Sequence, residues 1–233
     1  MARTTLWIWL LGVALASSAS AQQSKTWAVI IGVSQFSKLP GNQQLEYAAK
    51  DAEAFAKFIT SPRGGGVPAE NVTLMLNGEA TGAALKRRLG TTLPRNAGPN
   101  DVVYIFLSTH GIVEMDAAKG VYILGSDGEP TDLYGTAVPM VELDQIISNR
   151  LQKAGRIVLL ADLANSETMA GGVYSSLQRI AGKRRELIGL MASRAPKPPR
   201  RVPSSVAATV PSPASSSKGW TALPMLTATR PSP

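Results

Sequence analysis

The chain has no cysteine and only one histidine, His110, in 233 residues. The first absence excludes disulfides, thiolate metal sites and any cysteine nucleophile. The second excludes histidine-rich metal sites and chemistry that needs a histidine pair. No metal and no cofactor is expected. Acids are missing altogether from Arg194 to Pro233, where six cations fall: Arg194, Lys197, Arg200, Arg201, Lys218 and Arg230. With Arg3 they account for seven of the eight net positive charges, so residues 22–193 carry only +1. Recognition of nucleic acid needs a basic face on a folded module. This distribution supplies none, and nucleic acid is not an expected partner. Apolar residues make up 44% of the chain, which is enough to bury a core and argues against global disorder.

The start reads as a secretory signal. Arg3 is the positive region, Leu6–Ala16 the apolar stretch, and Ala19-Ser20-Ala21 a small-x-small cleavage site. The apolar stretch is shorter than the roughly 20 residues of a membrane span. No other segment qualifies either. Residues 1–21 are therefore expected to be removed, and a mature chain beginning near Gln22 to be exported with no stable membrane span.

The next 170 or so residues alternate strand-like and helix-like segments, judged by the periods of about 2 and 3.6 that each imposes. Trp27–Val33, Asp101–Ser108 and Arg156–Ala161 are continuous apolar runs, as strands buried on both faces require. Val72–Leu76, Val121–Leu124 and Leu187–Met191 predict shorter strands. Gln44–Ile59 predicts a helix, with Leu45, Ala48, Ala49, Ala52, Phe55, Ala56 and Ile59 on one face. Thr81–Leu89, with Thr81 as N-cap, Val141–Leu151 and Val173–Ala181 predict three more. Such alternation gives an α/β domain over 22–195 with a central, mostly parallel sheet. From 196 to 233 the texture is proline- and serine-rich, without periodicity, and predicts a disordered tail.

Sites in open α/β sheets form beyond the carboxyl ends of strands. Two ends carry chemistry-bearing residues: Ser108-Thr109-His110-Gly111, and Asp162-Leu163-Ala164-Asn165-Ser166. At this point the sequence resembles the caspase-type cysteine peptidases, above all the metacaspase-like branch found in bacteria. WAVIIGVS (27–34) is similar to that family's opening strand, and LEYAAKDAEA (45–54) to its L-x(5)-D-A helix entry. VYIFLSTHG (103–111) resembles the strand that delivers the catalytic histidine. Tyr122-Ile123-Leu124 with Asp127 resembles its YLLP-x-D hairpin. IVLLADLANS (157–166) resembles the strand ending D-A-C-H-S, and LIGLMASRA (187–195) the strand ending ASRA.

The resemblance implies the caspase–hemoglobinase fold, a three-layer sandwich with helices on both faces of the sheet. It implies a cysteine endopeptidase ancestry, with His110 as the acid–base and the Gly111 N–H at the oxyanion site. It also places the nucleophile position on Ala164, which has no lone pair to attack with. The chain is thus expected to be a catalytically inactive member. Ser166 is not expected to substitute, since backbone geometry aims a nucleophile. Asp51 and Asp162 match the acids that line the first pocket of members selecting arginine or lysine, so the implied partner is a peptide or protein carrying a basic residue. A non-catalytic peptide-binding module and a truncated, non-functional product are the alternatives.

The family's next elements do not follow residue 195. Lys218–Pro231, back-translated with GC-rich codons and read from each third base, gives G-L-D-G-A-A-D-A-D-G-D-A, which resembles the family's own later motif. The expectation is a shifted reading frame beginning near Ala195–Pro196. Sequencing the locus should show an acidic G-H-G-x-F-T…A-D-A-D-G-D stretch in the alternative frame. Stop codons in that frame between the positions of Ala195 and Pro231 end the idea.

Overall fold

The computed structural model describes residues 23–114, 120–164, 176, 178–180, 182 and 187–192. The expected signal segment, Asn165, Ser166 and the tail lie outside them. Among the described residues, seven strands form one sheet: β1 (Thr26–Gly32), β2 (Val72–Leu76), β3 (Val102–Val113), β4 (Val121–Ile123), β5 (Val138–Pro139), β6 (Arg156–Ala164) and β7 (Leu187–Ala192). The central part is parallel throughout, in the order β2-β1-β3-β6-β7. Beyond its parallel partner β1, β3 continues into an antiparallel ladder with β4, which pairs β5.

The helices cover both faces. The first, α1 (Ala48–Thr60), packs against Ala28, Ile30 and Phe106 on one side through Ala52, Ala56 and Ile59. On the other side lie α2 (Gly82–Arg87), α3 (Leu93–Asn96) and α5 (Met140–Gln145), with short α4 (Leu133–Thr136) at the rim. Leu85, Leu93 and Leu143 of these helices, with Leu89 and Ile147 of the turns that continue them, join the larger core around Ile31, Ile105 and Leu159. This is a three-layer α/β arrangement, and the continuous apolar runs are its doubly covered central strands.

Of the boundaries that differ from the sequence reading, three bear on the site. The first helix begins at Ala48 rather than Gln44. The Gln44 side chain is committed elsewhere: Oε1 accepts from Phe36 N (2.6 Å), and Nε2 donates to the carbonyls of Phe36 (3.0 Å) and Leu39 (2.9 Å). The hydroxyl of Ser34 instead satisfies the helix start, accepting from Ala49 N at 2.9 Å. Strand β3 runs past Ser108 to Val113 because β4 extends its ladder. Strand β6 runs past Ala161 to Ala164 because β3 pairs it that far. His110, Asp162 and Ala164 therefore sit within strands, not on the loops that follow them.

The Thr81 cap is present. Its hydroxyl accepts from Ala84 N at 3.2 Å, while Asp127 Oδ1 accepts from Gly82 N at 2.8 Å. Two of the orphan donors at this helix start are thereby satisfied. Helices α2 and α5 each widen into a π-helical turn, over Arg88–Thr92 and Ile146–Arg150 respectively. Among 173–181, the described Ser176, Gln178, Arg179 and Ile180 are helical. No helix among the described residues is long and apolar enough to cross a membrane.

Candidate active site

Strand pairing sets the site. In the parallel sheet Gly32 pairs Ser108, and Ser108 pairs Asp162, making one row across β1, β3 and β6. Two residues further on, His110 pairs Ala164. Side chains alternate faces along a strand. Tyr104, Phe106 and Leu160 pack on the α1 side, and Ile105, Leu107, Leu159 and Ala161 on the other. By that alternation Ser108, His110, Asp162 and Ala164 share the α1 side, at the carboxyl edge of the parallel strands.

His110 is 2% exposed. Its Nε2 lies 2.7 Å from the carbonyl oxygen of Gln43. A carbonyl can only accept, so Nε2 carries the proton of that bond. The Phe36 ring covers the imidazole, with centroids 4.8 Å apart and planes tilted by 41°. Burial pushes the His110 pKa below its ordinary value; backbone hydrogen bonding by Gln43 and Ala164 pulls the other way without overcoming it. The ring is therefore neutral near pH 7, the state a general base requires. The loop that supplies both Phe36 and Gln43 is tied by Gln44. Asn77 braces its beginning: Oδ1 accepts from Ser34 N (2.9 Å) and Gln35 N (3.1 Å).

The neighbouring glycine has a defined direction. Leu124 N donates to the His110 carbonyl at 3.0 Å, which makes Gly111 and Ile123 a non-hydrogen-bonded pair of the antiparallel ladder. The Gly111 N–H consequently points away from β4, toward β6. A histidine, its orienting carbonyl and a backbone N–H thus surround the end of β6. Residue 164, expected from the sequence to be the nucleophile position, is an alanine, whose methyl carries no attacking atom.

Asp162 lies one strand over from Ser108, with its Oδ1 buried. Asp51 is in the first turn of α1 and partly exposed. That turn crosses the sheet at Gly32: a Cβ built there would stand 2.5 Å from Ala52 Cβ and 2.6 Å from the Ala48 carbonyl. Asp51 and Asp162 therefore sit on the same face and at the same end of the sheet. Asp127, quoted with the hairpin motif, does not join them; it caps α2.

The sequence reading passed over Phe36, Gln43 and Gln44. Gln43 contributes a main-chain carbonyl, which leaves no mark in a sequence. Phe36 looks like any loop aromatic until the loop is closed over β3.

No match to a curated protein was found. A family model, the caspase domain, matches residues 25–207, which include β1 through β7 and every residue of this site. On that match and this architecture, the chain belongs to the caspase domain family.

Proposed function

We propose that this is an exported caspase-family domain that binds peptides through a basic side chain and does not cut them. One observation carries the reading: His110 and Ala164 face each other in register, in a chain with no cysteine. Acyl transfer in this family type starts with a thiolate attacking the scissile carbonyl, while histidine serves the leaving amine and N–H groups hold the oxyanion. The chain has a histidine at this strand end, and it has no thiol to attack with. Without a nucleophile, binding and an oxyanion site leave only a small residue of catalysis.

For the bound peptide, Asp162 and Asp51 supply carboxylates at the end of the sheet where the scissile segment of an active relative would lie. A guanidinium or ammonium group is their natural counter-ion. Export rests on residues 1–21 and the cysteine-free composition does not oppose it.

The test separates binding from cutting. An aminocoumarin amide of Ala-Ala-Arg should release no fluorophore above buffer over hours. A fluorescein-labelled Ala-Ala-Arg-Ala-Ala peptide should bind, and should lose about tenfold in affinity with Asp162→Asn or when its arginine becomes glutamine, the scale of one desolvated charge-assisted contact. Turnover that disappears with His110→Ala overturns the inactive reading. Equal affinity for the arginine and glutamine peptides overturns the basic-residue pocket.

A further inference from the structure

The α2 and α5 layer carries an open groove of about 480 Å³. His110 is not among the residues that line it. It forms where the two π-helical turns face each other. Gly90 sits between them and is buried; a Cβ there would already touch Ile146 Cδ1 at 3.4 Å. Arg150 Nη1 reaches across to the Gly90 carbonyl at 3.3 Å. Short π-helical stretches are uncommon and recur at functional sites.

Two features of the groove point to an occupant. The described residues include four exposed large hydrophobic side chains, Phe58, Tyr134, Val141 and Ile188, and two of them line this one groove. Tyr134 is 80% exposed and Val141 58%. The charge beside them is unbalanced. Lys86 pairs with Glu142 at 3.4 Å, which leaves the exposed Arg87 and Arg150 as the groove's excess positive charge. Apolar side chains rimmed by polar ones mark interaction sites, and arginine prefers carboxylate partners.

We propose that this groove docks an acidic peptide segment bearing a bulky apolar side chain. The apolar group lies on Val141 and Tyr134, and flanking carboxylates engage Arg87 and Arg150. The groove shares no residue with the histidine cleft and does not depend on what that cleft binds.

The test uses the full chain and a fluorescein-labelled peptide, Asp-Glu-Asp-Phe-Glu-Asp-Leu-Asp-Glu, followed by fluorescence anisotropy at about 0.15 M salt, where distant charges are screened. Arg87→Glu with Arg150→Glu should weaken binding by about tenfold or more, and Val141→Ser by about threefold, as for central contacts of a small interface. Replacing the peptide's phenylalanine and leucine by serine should cost as much as Val141→Ser. Reversal of tail charges, Arg200→Glu with Arg201→Glu, should change affinity by less than about twofold, since the tail is not the docking surface. His110→Ala should leave it unchanged. Arg87, Arg150 and Val141 are exposed, and circular dichroism checks the fold of each variant. Absence of saturable binding overturns the proposal. So does a tail reversal as damaging as the groove reversal, which means attraction by charge alone. Equal affinity for the serine peptide overturns it too. Self-association of the unliganded chain that the groove reversal abolishes, seen by sedimentation velocity, makes a second copy the occupant and overturns it as well.

Discussion

Gly32→Val is expected to destabilise the domain by about 3 kcal/mol or more, at the upper end of what overpacking a core costs. A side chain at this position has nowhere to go. Its Cβ alone would stand 2.5 Å from Ala52 Cβ and 2.6 Å from the Ala48 carbonyl. One obstacle is helix backbone, which cannot rotate out of the way as a long side chain can. Either α1 lifts off β1, uncovering the cluster of Ala28, Ile30, Ala52, Ile59 and Phe106, or β1 bends out of its pairing with β2 and β3. Both disturb the site, because the loop leading into α1 carries Gln43 and Phe36 onto His110. Urea unfolding should show a lower midpoint with an unchanged slope. A change in midpoint equivalent to less than about 1 kcal/mol would show that the helix accommodates a side chain cheaply.

Asp101→Ala is the second large effect, at about 3 kcal/mol, and it carries a pH signature. Asp101 is 4% exposed at the opposite end of β3 from His110. Its Oδ1 accepts from Lys25 N at 2.9 Å, and Oδ2 from Trp27 Nε1 at 2.9 Å and Gly98 N at 2.8 Å. One carboxylate thereby ties the start of β1 to the turn before β3. Burial works to raise its pKa, but the bonds from Lys25, Gly98 and Trp27 and the charge of Lys25 outweigh it, so the folded-state value is lowered. The sign follows. A depressed folded pKa adds stability at pH values above the unfolded pKa of about 3.9, and that stability is lost as pH falls through the folded value. Wild type should therefore lose this increment on acidification, and the alanine variant should lack it at every pH. Asp101→Asn keeps one acceptor oxygen and should fall between them. Unfolding midpoints measured from pH 7 down to pH 2 decide the matter. Parallel curves for wild type and Asp101→Ala would count against the carboxylate as the source.

Much of this protein was legible before folding was considered. Apolar runs at 27–33 and 156–161 marked central strands because only strands covered on both faces have no polar alternation. Leu45 through Ile59 marked a helix because its apolar face repeats every three or four residues. The absence of a thiol was equally plain, since it is a property of the composition itself. Other features needed the three-dimensional chain. Gln44 has good helix propensity and was counted into α1, yet its amide binds the preceding loop, a tertiary contact that overrides a weak local preference. The strands bearing His110 and Asp162 run past their expected ends because a partner strand, distant in sequence, continues the ladder.

By itself, then, the sequence determined the α/β layering and which atoms are present for chemistry: one imidazole, the carboxylates of Asp51 and Asp162, no thiol. Only the tertiary structure decided how those atoms are disposed. The burial of His110, the carbonyl of Gln43 at its Nε2, the direction of the Gly111 N–H and the groove between α2 and α5 all depend on backbone groups and on segments tens of residues apart. Main-chain donors and acceptors are identical at nearly every residue, so a sequence does not distinguish them; pairing between strands and closure of loops does.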